Sequence, residues 1–197
     1  LLINPTTNML SGYVDSLRIP KVLFRDRCVN LAEQCVNTSK YDWDSFETSW
    51  DFQMHPLVQL CHGVPNDSGQ EQAYLEDAYQ EWEYECETRF QQLKANEEEL
   101  NRIFIDIYGL QDELSPEVAD KDVTVHYLAD TKDDIPESLQ GSNYVLTRRD
   151  VIVSLISYAV GCMFGRYSLD AEGLAYAGGA WDGSKYTTFP ADPDNII

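Results

Sequence analysis

The sequence predicts a mainly α-helical protein with a long helical arm or hairpin, a buried helix, and a small β-containing edge at its N-terminus. Residues 71–108 contain no Gly or Pro, and their apolar residues recur at threes and fours, close to a heptad period. A second segment, residues 148–166, has apolar residues almost all the way round a helix. Residues 1–24 mix short apolar runs with turn residues. We expect them to close a β-containing unit that began before Leu1.

The segment 71–108 predicts either one long helix or two helices with a break near Ala95 and Asn96. At 1.5 Å per residue an unbroken helix would span roughly 55 Å. That length exceeds what a compact domain of this size needs and is typical of a spacer or a hairpin arm. Gly109 suits the left-handed position that follows many helices, so the element should end at Tyr108.

The buried helix is expected over residues 148–166. Thr147 and Asp150 resemble a capping box, with Asp in place of the usual Glu or Gln. Apolar residues occur almost all the way round this helix, which predicts burial on most sides. A shorter helix should begin at Ser115 and Pro116, because Pro favours the first helical position.

Residues 26–36 have loosely helical apolar spacing. The stretch 41–52 interleaves aromatic and acidic residues, and we expect it to attach to a core through Trp43, Phe46, Trp50 and Phe52. The predicted organisation is the end of a target-recognition-like unit (1–24), a helical, Trp-rich packing segment (25–66), an acidic long-helix connector (67–140), and a buried helix with an irregular tail (141–197).

The negative charge is concentrated in one part of the chain. The net charge is -20, and residues 66–140 hold 21 acidic against 5 basic residues. Because phosphates are neutralised by Lys and Arg, this middle segment should be repelled by DNA. The candidate contacts with DNA or a partner are therefore Arg148, Arg149, Arg18 and Lys21. The helix dipole disfavours Arg148 and Arg149 at a helix N-terminus, so we expect an acid of the middle helix to pair with them, with DNA phosphate or a partner protein as alternatives.

The sequence contains no recognisable catalytic or cofactor motif. Asn4, Pro5, Thr6 and Thr7 resemble the start of the Asn-Pro-Pro-Tyr sequence of amino-methyltransferases, but they lack the second Pro and the aromatic ring that would stack on a flipped base. No Gly-rich turn follows a strand, as a nucleotide or S-adenosylmethionine pocket would require. We therefore assign no catalytic or cofactor-binding residue.

The sequence also predicts no metal site. The candidate donors form no Cys-x-x-Cys or His-x-x-x-His pair. The adjacent Cys61 and His62 could be half a site, but we interpret the donors as ordinary core residues: Cys28, Cys35, Cys61, His62, His55 and His126. The acidic runs at residues 97–99 and 133–134 are interpreted as solvated faces. Five cysteines without regular spacing fit a reducing compartment. Because no leader sequence or sufficiently long apolar span is evident, we expect a soluble, cytoplasmic protein without a membrane partner.

Three long segments resemble a known family. Residues 38–57 (TSKYDWDSFETSWDFQMHPL), 95–125 (ANEEELNRIFIDIYGLQDELSPEVADKDVTV) and 153–173 (VSLISYAVGCMFGRYSLDAEG) are similar to the region after the catalytic domain of the adenine-specific DNA methyltransferases of BREX phage-defence systems, the PglX family. The stretch from Asn4 and Pro5 to Pro20 resembles the exit of a target-recognition unit in related enzymes.

The resemblance implies a parent enzyme that uses S-adenosylmethionine to methylate the N6 of adenine in host DNA. It implies duplex DNA as a partner of other parts of that enzyme, and other defence-system proteins as further partners. No catalytic or methyl-donor residue of the family matches a position here, so the segment itself needs no cofactor and is expected to be a non-catalytic connector near the specificity region. The alternative is a stand-alone acidic interaction module or DNA mimic. A metal-dependent nuclease module would need a pattern of acids and lysine that the sequence lacks.

Overall fold

A computed structural model describes residues 26–61 and 74–192. This part of the chain contains four α-helices, which are α1 (Asp26–Asp44), α2 (Pro56–Cys61), α3 (Leu75–Tyr108) and α4 (Arg148–Met163). Two short strands, β1 (Tyr127–Ala129) and β2 (Val145–Thr147), pair in parallel. The prediction of a mainly α protein is confirmed. The expected β-containing edge in residues 1–24 lies outside the described residues, as does the Asn4 to Thr7 sequence.

The long helix α3 is a single element of 34 residues that runs without a break through Ala95 and Asn96. Gly109 follows it in the left-handed conformation, with φ of 66°. The Gly109 and Leu110 backbone N–H groups donate to carbonyls of the last helical turn, so the helix ends where the sequence predicted. The 34 residues span about 51 Å at the standard rise.

Helix α3 provides one side of two buried clusters. In the first, Trp82 of α3 packs with Leu57 of α2, Leu128 of β1 and Val151 of α4. The second lies further along α3 and contains Phe90, Leu93, Val123, Val125 and Leu139. Because the first cluster draws on α2, α3, β1 and α4, these elements share one core.

The end of α1 is joined to β1 by a buried polar contact. Asp42 is only 3% exposed. Its carboxylate accepts hydrogen bonds from the backbone N–H of His126 at 3.1 Å and from His126 Nδ1 at 2.7 Å. The Phe46 ring lies against the same imidazole, with ring centroids 4.3 Å apart. Burying a carboxylate is costly unless it is hydrogen-bonded, and these bonds meet that requirement.

The aromatic stretch is only partly buried. Helix α1 continues to Asp44, beyond the predicted limit at residue 36. Phe46 and Phe52 pack inward as expected, but Trp43 is exposed and Trp50 is 97% exposed. Successive helical residues point about 100° apart, so burying Asp42 turns Trp43 outward. The prediction that Trp43 and Trp50 attach this segment to the core is wrong.

Helix α4 begins with the predicted capping box. The Thr147 hydroxyl and the Asp150 carboxylate each bond to the other residue's backbone N–H. The helix ends at Met163, short of the predicted residue 166. Its buried residues, Val151, Tyr158 and Cys162, lie on one side. The expectation that α4 would be buried on most sides is wrong, because several apolar side chains of the other side are exposed.

The segment between α3 and β1 does not contain the helix expected at Ser115 and Pro116. The Ser115 hydroxyl accepts a hydrogen bond from the Glu117 backbone N–H, which forms a local turn instead. A short 3-10 turn at Asp120–Asp122 is the next regular element. Within the described ranges, none of the helices is both long enough and apolar enough to cross a bilayer.

Candidate functional site

Acidic side chains along α3 form the most pronounced charged feature of the described chain. The helix carries ten acidic residues and three basic ones. Two of the acids, Glu76 and Asp77, lie in its first turn, where negative charge is favoured by the helix dipole. Of the other α3 acids, Glu85 and Glu99 pair with Arg side chains. Ion pairs of this kind decide which positive charges remain available to a ligand.

Arg148 is held by two acids from different elements. Its guanidinium donates to Glu76 Oε2 of α3 at 2.8 Å and to Asp130 Oδ1 after β1 at 2.9 Å. The same group lies over the Tyr79 ring, 4.3 Å from the centroid. The structure therefore places Arg148 in the intramolecular pair with the middle helix that the sequence analysis favoured. Asp130 was not anticipated, because only the tertiary fold brings it near α3.

Several other cations are also engaged within the chain. Arg27 of α1 and Arg102 of α3 both pair with Glu99. Lys94 Nζ lies 2.6 Å from Asp120 Oδ1, and this hydrogen bond lowers the pKa of the Asp120 carboxyl. The Lys side chains and guanidinium groups in these pairs already contact carboxylates, so a phosphate would have to compete for them.

The acidic run at residues 97–99 contributes to tertiary structure. Glu98 Oε1 accepts the Val118 backbone N–H at 3.2 Å, and Glu99 joins α3 to α1 through Arg27. Burial raises the pKa of the Glu97 carboxyl. Their interpretation as a simple solvated face is therefore wrong. Asp134 also has a structural role, because it caps a short turn by bonding to Thr131.

The histidines of the described chain occupy structural positions. His55 is buried, and burial lowers its pKa to about 4. His126 lies against the buried carboxylate of Asp42. Within residues 26–61 and 74–192, no group of three or more His, Cys, Asp or Glu side chains could hold a metal ion. Burial also raises the pKa of the Cys86 thiol to about 12, which disfavours the reactive thiolate at neutral pH.

A groove of about 670 Å³ lies where the end of α1 and the turn after it face α2 and α3. Its lining includes the acids Asp44 and Asp51, and the Lys40 ammonium between them binds both. Trp50 and Glu85 also line it. Because Lys40, the only cation among the described residues that line it, is already neutralised by two carboxylates, this part of the groove is not suited to a phosphate.

The four predicted contact residues have different positions. Arg148 is occupied by the ion pairs above. Arg149 is exposed at the start of α4. Hydrogen bonds from Thr147 lower the pKa of Asp150, and the charge of Arg149 contributes to this shift. Arg18 and Lys21 lie outside the described residues, as does His62.

Two curated proteins are similar to this chain over its whole length. It is 44% identical over 197 residues to the adenine-specific methyltransferase PglX of Lacticaseibacillus casei (strain Zhang), and this match covers 100% of the chain and 14% of the relative. It is 32% identical over 207 residues to the adenine-specific methyltransferase BrxX of Escherichia coli O9:H4 (strain HS), covering 100% of the chain and 15% of that protein. The chain thus spans about one seventh of these relatives. No protein-family model matches it.

Proposed function

We propose that this chain, which belongs by sequence to the family of the adenine-specific methyltransferases PglX and BrxX, serves such an enzyme as a non-catalytic connector beside its DNA-specificity region. The parent enzyme would transfer a methyl group from S-adenosylmethionine to the N6 of adenine, as part of a BREX phage-defence system in the cytoplasm. Duplex DNA would contact other parts of that enzyme. Other proteins of the defence system are candidate partners.

The observation that carries this proposal is the pairing of the chain's cations with its own acids. Arg27, Lys40, Arg89, Lys94, Arg102 and Arg148 each form an ion pair within the described residues. Affinity for a nucleic-acid backbone comes mainly from cations that neutralise phosphates. Because these cations are already paired and the chain has a net charge of -20, its surface is poorly suited to binding the DNA backbone.

The geometry of α3 supports a positioning role. Its 34 residues form one uninterrupted helix, which spans about 51 Å. Two buried clusters along its length attach it to α2, β1 and α4 and to the segment 118–139. Most helix stability in proteins comes from packing rather than from intrinsic propensity alone. These clusters make α3 a rigid spacer, with which the connector would set the distance between its neighbours.

The first experiment measures DNA binding by the 197-residue chain. Fluorescence anisotropy with labelled duplex DNA at low salt should show no binding that is lost as salt is raised. Tight, salt-sensitive binding would overturn the proposal. Inhibition of unrelated DNA-binding enzymes by the chain alone would favour the DNA-mimic alternative.

The second experiment separates positioning from cofactor binding in the full-length methyltransferase. Trp82→Ala, which removes a ring from the core shared by α2, α3 and α4, should slow N6-adenine methylation and leave S-adenosylmethionine affinity unchanged. Trp50→Ala is the matched control, because Trp50 is almost fully exposed, and it should leave both properties unchanged. Loss of S-adenosylmethionine affinity in Trp82→Ala would contradict a connector role.

A further inference from the structure

In the described part of the chain, helix α4 and the residue that follows it leave an apolar surface exposed, which we call the apolar stripe: Val153, Ile156, Val160 and Phe164. The four side chains recur at intervals of three and four, so they follow one side of the helix. Val153 is 58% and Ile156 is 57% exposed, and the other two are also exposed. No charged residue occurs between Asp150 and Arg166. Contiguous apolar surface on a soluble protein usually marks an interaction site.

A groove of about 380 Å³ adjoins this stripe. The turn after α1 and the first turns of α4 line it, and Val153 belongs to both the groove and the stripe. Glu47 lies in the groove. Its Oε2 accepts a hydrogen bond from the Ser157 hydroxyl at 3.2 Å, while its buried Oε1 has no hydrogen-bond partner within the described chain.

The described lining of this groove contains acidic side chains and no Lys or Arg. The acids are Glu47 and Asp150. Besides the hydrogen bonds from Thr147, the charges of Lys132 and Arg149, which do not line the groove, contribute to lowering the pKa of the Asp150 carboxyl. The Asp150 carboxylate accepts hydrogen bonds in the helix cap. Glu47 Oε1, by contrast, is buried and has no donor within the described chain, and such an unsatisfied oxygen is energetically unfavourable. The complementary surface is therefore apolar along the stripe, with a Lys or Arg side chain beside Glu47 Oε2, since Oε1 itself is buried.

We infer that the apolar stripe and its groove are covered by another part of the same methyltransferase polypeptide, outside these 197 residues. This inference rests on the proposed function. The matches to the two relatives extend over the whole of this chain, yet the chain makes up only 14% and 15% of their lengths, which leaves ample polypeptide to cover α4. A second copy of the chain is disfavoured, because each copy has a net charge of -20 and like charges repel.

The test uses the full-length methyltransferase with the photo-crosslinking amino acid p-benzoylphenylalanine in place of Ile156. The matched control places it at Val36 of α1, which is 65% exposed and outside the stripe. After irradiation, peptide mapping should join residue 156 to a segment of the same polypeptide beyond these 197 residues, and residue 36 should give no such product. Crosslinks from residue 156 only to another part of these 197 residues, only between two copies, or only to a different protein would each overturn the inference, as would no crosslink at all.

A charge substitution gives an independent readout. Ile156→Lys in the full-length enzyme should increase the rate of limited proteolysis at the borders of this segment severalfold, because a cation cannot be buried in an apolar interface without large cost. Val36→Lys should leave the digestion rate unchanged. Equal rates for the two variants would contradict a covered stripe. Tight DNA binding by the chain would contradict the connector role. If residue 156 still crosslinked to a distant segment of the same polypeptide, the inferred interface at the apolar stripe would nevertheless be supported.

Discussion

The buried imidazole of His55 predicts a specific loss of stability in acid. His55 is 2% exposed. Its Nδ1 accepts the Leu57 backbone N–H at 3.2 Å, and its Nε2 lies 2.9 Å from the Ser154 hydroxyl oxygen. That hydroxyl donates to the Val151 carbonyl at 2.8 Å, so Nε2–H is the donor to Ser154. Both ring nitrogens are thus used by the neutral form, and protonation would remove the acceptor at Nδ1.

The size of this effect follows from the two pKa values of His55. Burial lowers the pKa in the folded chain to about 4, against 6.5 for an unperturbed His. Between these pH values the unfolded chain binds a proton that the folded chain does not, so acid favours unfolding. At 1.36 kcal/mol per pH unit, the His55 contribution to stability that is present above pH 6.5 and lost by pH 4 is about 3 kcal/mol.

Urea unfolding of the chain at a series of pH values between 7 and 4 measures this loss. The matched variant is His55→Asn, in which the amide oxygen can still accept the Leu57 N–H but no group titrates. Carboxylates protonate in both proteins, so the difference between the two pH profiles isolates His55. The original chain should lose about 3 kcal/mol more than the variant. Identical profiles would refute the buried, neutral imidazole.

Three further substitutions test the packing, the helix cap and the main ion pair by urea unfolding. Trp82→Ala should lower the free energy of unfolding by about 3–5 kcal/mol, whereas Trp50→Ala should change it by less than about 0.5 kcal/mol. Equal effects of the two substitutions would contradict the burial of Trp82. Thr147→Ala should lower the free energy of unfolding by about 1 kcal/mol, because the capping box is lost. An unchanged urea midpoint would contradict that cap. A double-mutant cycle on Arg148 and Glu76 should give a coupling of at most about 1 kcal/mol, because both side chains are well exposed. A coupling of several kcal/mol would contradict this exposure.

Local sequence signals predicted the parts of the fold that depend on neighbours in the chain. The Gly109 helix end and the cap formed by Thr147 and Asp150 each involve residues within a single turn. The parallel strands, by contrast, have only three residues each, too few for a period of two to be recognised. Their pairing depends on a connection whose path the sequence pattern does not specify.

Burial was harder to predict than helix position, because composition does not show what covers a surface. Trp43 and Trp50 are aromatic residues of the kind expected in a core, yet both point outward. Asp42, an acid expected outside, is buried because the fold brings His126 to it. For the Arg148 contact, charge reasoning predicted the class of partner, but only the tertiary structure identified Glu76 and Asp130.

The acidic helix and the apolar stripe belong to one framework, and this links the two proposals. Trp82 of α3 and Val151 of α4 pack in the same buried cluster, and Arg148 joins the start of α4 to Glu76 of α3. If the stripe docks against the rest of the methyltransferase, that contact also fixes the direction of the 34-residue helix. Removing the exposed Arg148 pair would weaken this link by little. Disrupting the core at Trp82 would release α3 from α4, and for this reason we expect methylation to depend far more on the buried ring than on the ion pair.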